Sequence, residues 1–248
     1  MATILNIETA TSVCSVAIGI NGECVALKEI NEGRTHAEVL TIFIEDVIKQ
    51  AGISYKGLDA IAVSSGPGSY TGLRIGVSTA KGLCYALDKP LIAVDTLEAM
   101  AVGGIERFQN IENNHSLIEP GVFGYEVNKI LFCPMIDARR MEVYTSFYYI
   151  DWELFRPVSA DVITDEIYDD YLKEYKMLFF GDGMPKCKNL LSGNNNSYFL
   201  NNVLPSAAHM TDLSHISFDV NEFEDLAYFE PLYLKDFVAT KAKNALPE

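Results

Sequence analysis

The sequence predicts an α/β fold, and three observations carry that prediction. The chain opens on short runs rich in apolar and β-branched residues. An apolar run then ends in a glycine-rich turn and continues at helical spacing. Further on, the strand-then-helix texture recurs.

"TILNIE", "CSVAIGI" and "CVALKEI" are the first three strands. Asn21-Gly22, between the second and third, is a strong hairpin signal, because both residues tolerate the positive φ of a tight antiparallel turn. Residues 9–13 turn the first strand into the second, so the chain begins as a three-stranded meander. In "GRTHAEVLTIFIEDVIKQAG", Thr35 and Glu38 have capping-box spacing, and Gly52 stands where a helix closes. Val39, Leu40, Phe43, Ile44, Val47, Ile48 and Ala51 repeat at helical spacing, with Ile42 widening the face. "LDAIAVSSG" is a buried strand, and after its glycine loop a second helix runs over 72–87. "KPLIAVDTLEAMA" is a strand leading into a helix.

The polar, breaker-rich "ERFQNIENNHSLIEPGVFG" marks a boundary, dividing the chain into lobes at 1–105 and 106–248. "KILFCPMIDARRMEVYTSFYYI" predicts two strands meeting at residues 137–140. "TDEIYDDYLKEY" reads as an exposed acidic helix and "KMLFFGDG" as a buried strand ending in a turn. "SGNNNSYFLNN" reads as a loop, "SAAHMTDLSHI" as a short helix capped by Ser206, and "EPLYLKDF" as an extended segment.

The net charge of −15 over 248 residues argues against a protein that grips nucleic acid alone, since phosphate binding needs a cationic surface. Any role on RNA calls for a more basic partner. Five dispersed cysteines without C-x-x-C spacing predict neither a disulfide framework nor a zinc site. No stretch reaches the length of a membrane span and "MATILNIETA" lacks the pattern of a secretory leader, so the expected location is the cytoplasm.

The loop in "SSGPGSYTGLRIGVSTAKGLCYAL" fits neither common phosphate fingerprint. G-x-x-x-x-G-K-[ST] is missing, and Gly72 comes one residue late for G-x-G-x-x-G begun at Gly66 and Gly68. Two readings stay open for Gly66, Gly68, Ser69 and Gly72: an anion cradle at a helix N-terminus, or a tight turn demanding close backbone approach. The four histidines form no i, i+3 or i+4 pair for a metal. Ser69 lacks a G-x-S-x-G context. Glu8, Asp95, Asp137 and Asp182 fall at or near strand ends, where phosphotransferases hold magnesium and where carboxylates are also common. Gly72, Gly76, Ala80 and Cys84 form a small-residue stripe, next to a ridge including Leu73 and Val77. A stripe of this kind admits another backbone, either the protein's own sheet or a partner.

"ILNIETATSVCSVAI", "SSGPGSYTGLRIGVSTAKGL", "IDARRMEVY", "FFGDG" and "EPLYLKDF" together resemble the bacterial TsaB (YeaZ) family, over residues 4–237. The resemblance implies an ASKHA fold, the actin, Hsp70 and sugar-kinase architecture, with two related lobes and the second reduced. It implies a non-catalytic subunit that pairs with a TsaD-type transferase to make N6-threonylcarbamoyladenosine at tRNA position 37, in tRNAs reading codons that begin with A. A TsaE-type ATPase joins the pair, and tRNA is met only through the complex. TsaD-like enzymes bind metal through H-x-x-x-H, whereas here "HAEVL" keeps His36 and puts Leu40 in the second place, so no metal site is expected. The glycine loop then looks like a vestigial phosphate loop. In the family the first two helices pair with the partner or, without it, with a second copy. That makes Val39, Leu40, Phe43, Val47, Leu73, Gly76, Val77, Ala80 and Cys84 the expected interface. No tightly bound cofactor is expected, and ATP or ADP has its place at the partner joint. The alternatives are an ASKHA phosphotransferase, a glycoprotease-like peptidase, and a regulatory homodimer outside the tRNA pathway.

Overall fold

The structure, a computed structural model, describes residues 1–31, 36–114 and 127–235. Two five-stranded sheets repeat one topology. In the first, β1 (Thr3–Glu8), β2 (Cys14–Ile20) and β3 (Glu23–Ile30) form the antiparallel meander, and β4 (Ala60–Gly66) and β5 (Leu91–Asp95) extend it in parallel, in the order β3-β2-β1-β4-β5. The second contains β6 (Ile130–Asp137), β7 (Glu142–Tyr148), β8 (Leu154–Val162), β9 (Lys176–Phe180) and β10 (Ser197–Phe199). Its order, β8-β7-β6-β9-β10, has the same sense at each pairing. This is the two-lobed α/β duplication expected of an ASKHA fold. The second lobe is the reduced one: β10 has three residues, and its helices α4 (Asp169–Leu172) and α5 (Met184–Leu191) have four and eight.

Local chemistry sets the elements where the sequence signals are strong. Asn21 and Gly22 take φ of 51° and 85°, the pair of positive values that a two-residue hairpin requires. Helix α1 (His36–Gln50) buries Val39, Leu40, Phe43, Ile44, Val47 and Ile48 on the first sheet, and Gly52 closes it at φ 68°. Helix α2 (Tyr70–Leu87) begins two residues before the predicted start, because the Ser69 hydroxyl accepts from the Gly72 N–H at 3.3 Å. Thr35, the expected cap of α1, lies outside the described residues.

Several expectations need correction. The lobe boundary at 105/106 falls inside α3 (Thr96–Asn114), whose polar end is still helical. A second departure is larger, since residues 206–235 return to the first lobe. Ser206 caps a 3-10 turn over Ala207–Met210 that leads into α6 (Thr211–Asp219), and Ala207, Met210, Leu213 and Phe218 pack on the side of the first sheet away from α1 and α2. The acidic helix shrinks to the single turn of α4, and the stretch read as a loop contains β10. β8 is an edge strand that tolerates Pro157, and α5 was also not predicted.

Beyond α6 the chain runs as a strap to residue 235. The Glu224 N–H donates to the Leu91 carbonyl at 2.9 Å on edge strand β5. Lys81 on α2 donates to the Ala227 and Phe229 carbonyls at 3.3 and 3.1 Å. The Leu232 N–H donates to the Ser65 carbonyl at 2.7 Å, and Lys235 pairs with Glu142 of the second lobe. The strap therefore crosses from one lobe to the other.

Candidate functional site

The glycine loop between β4 and α2 is where the sequence offered a phosphate cradle. In the structure it is filled by the chain itself. The Ser69 N–H donates to the Ala10 carbonyl at 2.6 Å, and the Thr9 hydroxyl donates to the Gly72 carbonyl at 2.9 Å. A Cβ on Gly68 would collide with the backbone of Ala10, one on Gly72 with the Thr9 carbonyl, and one on Gly76 with the Thr9 hydroxyl. These glycines let α2 lie directly on the β1–β2 turn. On the other side, Gly66 holds φ at 105°, and a Cβ there would sit 2.8 Å from the Leu232 carbonyl of the strap. Tyr233 of the strap packs on Tyr70 with ring centroids 4.9 Å apart. Gly66, Gly68, Ser69 and Gly72 thus form the tight-turn alternative. The close approach of the turn and the strap accounts for the glycines by packing.

The small-residue stripe is corrected in the same way. Gly72, Leu73, Gly76, Val77, Ala80 and Cys84 are buried against the protein's own sheet, as are Val39, Leu40, Phe43 and Val47 of α1. None of the nine interface candidates faces outward. The solvent side of the same two helices carries other residues: Ala37, Thr41, Ile42 and Glu45 on α1, and Thr71, Arg74, Ser78, Gly82 and Tyr85 on α2. Ile42 is 55% exposed and Tyr85 84%. Arg74 lies over the Tyr70 ring at 4.7 Å, beside a shallow depression formed with Ala37, Ile75 and Ser78. Two sequence signals marked this face: small Ser78 and Gly82 one turn apart, and an aromatic residue, Tyr85, three positions on.

The strand-end carboxylates form one pair per lobe. Glu8, at the end of β1, is fully buried, and that burial pushes its pKa up to about 7 against the hydrogen bond from the Ala10 N–H at 2.5 Å; the Asp95 charge adds to the rise. Asp95 caps α3, accepting from the Leu97 and Glu98 N–H groups at 2.7 and 3.0 Å. Burial raises it too, and raises Glu98, to which the Asp95 charge also contributes. In the second lobe Asp182 accepts from the Asp137 N–H at 3.3 Å, and burial lifts it to about 6. Asp137 pairs with Lys186. Among the described residues, no three His, Cys, Asp or Glu side chains converge as metal ligands. His36 bonds the Thr11 carbonyl through Nε2 at 2.8 Å. Burial pushes the Cys84 thiol to about 12 and the Cys14 thiol to about 11, so neither is a nucleophile near neutral pH.

A raised carboxylate makes stability depend on pH with a definite sign. Between its ordinary pKa of 4.5 and about 7, Glu8 holds a proton in the native state that the unfolded chain has released. Its contribution is therefore full below pH 4.5 and is lost as pH rises through about 7, by up to about 3 kcal/mol. Asp95, Glu98 and Asp182 act in the same direction. Glu8→Gln keeps an acceptor for Ala10 and should flatten the decline in urea-unfolding free energy across that window. An unchanged slope would show that Glu8 ionises normally in the fold.

Comparison with known proteins places these features in a family. The model of the family described as TsaD, tRNA N6-adenosine threonylcarbamoyltransferase, matches residues 30–246. A Haemophilus influenzae protein, tRNA threonylcarbamoyladenosine biosynthesis protein TsaB, is 27% identical over 239 residues, spanning 96% of each chain. Its Escherichia coli K12 counterpart of the same name is 29% identical over 247 residues, again 96% of each chain. The solved structure of YeaZ from Pseudomonas aeruginosa superposes with a TM-score of 0.71 at 26% identity, covering 94% of this chain and all of that one. Among the described residues, no helix is long and apolar enough to cross a membrane.

Proposed function

We propose a supporting role in tRNA modification, from the premise that the chain belongs to the TsaD family and, within it, to the TsaB (YeaZ) proteins. Its work is in threonylcarbamoyladenosine synthesis. Within that pathway we assign it as a non-catalytic subunit that pairs with a TsaD-type transferase, with a TsaE-type ATPase as third member and tRNA held by the complex. One observation carries the supporting role: the glycine loop is occupied by the β1–β2 turn and the strap, so its backbone serves packing. The buried carboxylates and thiols next to it point the same way, because each is protonated near neutrality or tied to the backbone. We place any ATP or ADP at the joint between partners, since the lobe's own loop is full.

The docking face in this reading is the solvent side of α1 and α2, and it pairs two copies of the chain when the transferase is absent. Tyr85→Asp and Ser78→Arg change exposed positions, so both variants should fold as the parent does. Each should lose co-purification with a TsaD-type partner, and each should lower tRNA modification by the reconstituted set by about tenfold or more, the range of a disrupted interface anchor. The chain alone should turn over no ATP. Steady hydrolysis that Glu8→Ala abolishes would refute the supporting role. Full modification by both variants would put the docking face elsewhere.

A further inference from the structure

On the side of the first sheet away from α1 and α2, the end of β3, the middle of α3 and residues 203–209 line an open groove with a volume of about 730 Å³. Small-molecule sites have this size, roughly 300–1,000 Å³. Val13, Leu27 and Val203 give it apolar walls. Glu29 enters from β3 with its carboxylate already fixed: the hydroxyls of Ser15 and Ser206 both donate to Oε2, at 3.0 and 2.7 Å. Ser15 is itself held by the Ala207 N–H at 2.9 Å. A carboxylate oriented by two donors is a preorganised acceptor.

The facing wall is built around an imidazole. His209 lies so close on Gly103 of α3 that a Cβ there would collide with the ring, which explains a glycine inside that helix. Its Nδ1 is buried and has no hydrogen-bond partner. Burial holds the ring below its ordinary pKa, so it is neutral at pH 7 despite the nearby Glu29 charge. Glu106 and Arg107 complete the wall. Two lining carboxylates, Glu29 and Glu106, thus face one guanidinium. That balance disfavours phosphates and favours a cation.

We propose that this groove binds a small primary amine with a compact apolar body, its ammonium held by Glu29. The body lies on Val13, Leu27 and Val203, with the His209 ring as part of the wall. The groove and the proposed docking face lie on opposite sides of one sheet, so binding here is separable from pairing.

The test is titration of the full chain, followed by amide NMR shifts, with isobutylamine and L-valinamide as probes and isobutyric acid and ATP as controls. Both amines should saturate shifts around Glu29 and His209, with the controls weaker by about tenfold or more, the worth of one charge-assisted hydrogen bond. Glu29→Gln retains an acceptor for both serines and should weaken the amines by a similar factor. Leu204→Trp, which fills the groove without touching Glu29, should do the same and serves if Glu29→Gln does not fold. Absence of saturable shifts with either amine, equal binding of the acid, or unchanged affinity in a folded variant would overturn the assignment.

Discussion

Gly72→Ala is expected to destabilise the protein by about 3 kcal/mol or more, the upper range for an overpacked site. The added methyl would land inside contact distance of the Thr9 carbonyl, which belongs to the turn joining β1 and β2. Backbone there can yield only by shifting the two strands it connects. Gly68→Ala should act similarly, through Ala10. Gly82 offers the control: it lies on the same helix, and a methyl added there would meet nothing within 4 Å, so Gly82→Ala should stabilise by about 1 kcal/mol through helix propensity alone. Urea midpoints measure all three. Gly72→Ala within about 1 kcal/mol of the parent would mean that α2 does not rest on the turn.

Ala80→Arg should leave a molten or aggregated chain. Ala80 has no exposed surface and packs in the core formed by α1, α2 and the first sheet. A guanidinium forced there is an unpaired buried charge, which costs several kcal/mol. On the sequence alone, this substitution tests a partner surface and predicts a folded chain that no longer pairs. The buried stripe reverses that outcome. Circular dichroism with light scattering separates the two, and a folded, monodisperse variant would return the stripe to the surface.

The contrast between Ala80 and Tyr85 shows what the sequence can carry. Periodicity identifies the faces of a helix, and it correctly grouped Val39, Leu40, Phe43, Ile44, Val47 and Ile48 on α1. It cannot say whether a face of small residues meets the protein's own backbone or another chain, because both demand close approach. Asn21-Gly22 and the glycine loop were legible because their backbone requirements restrict the residue types allowed. α3 was cut short because its polar second half lacks the apolar rhythm of a packed helix. The strap was legible only as an extended segment. It holds on through a few backbone hydrogen bonds, two lysines and scattered side-chain contacts such as Tyr233 on Tyr70, and none of these leaves a periodic mark. The groove beside His209 is assembled from three distant segments, so no local motif announces it.

The strap also sets an order of events during synthesis. The N-terminal lobe leaves the ribosome first, yet the carbonyls that receive Lys81 belong to residues 146 and 148 positions later. At about 5–20 residues per second the nascent lobe waits roughly 7–30 s for its cover. Throughout that interval the edge of β5 at Leu91 and the loop at Ser65 are open, and an open strand edge invites pairing with any extended chain nearby. A ribosome stalled before residue 224 would therefore hold a lobe with its sheet formed and its edge unprotected, the state from which misassembly on a crowded polysome begins.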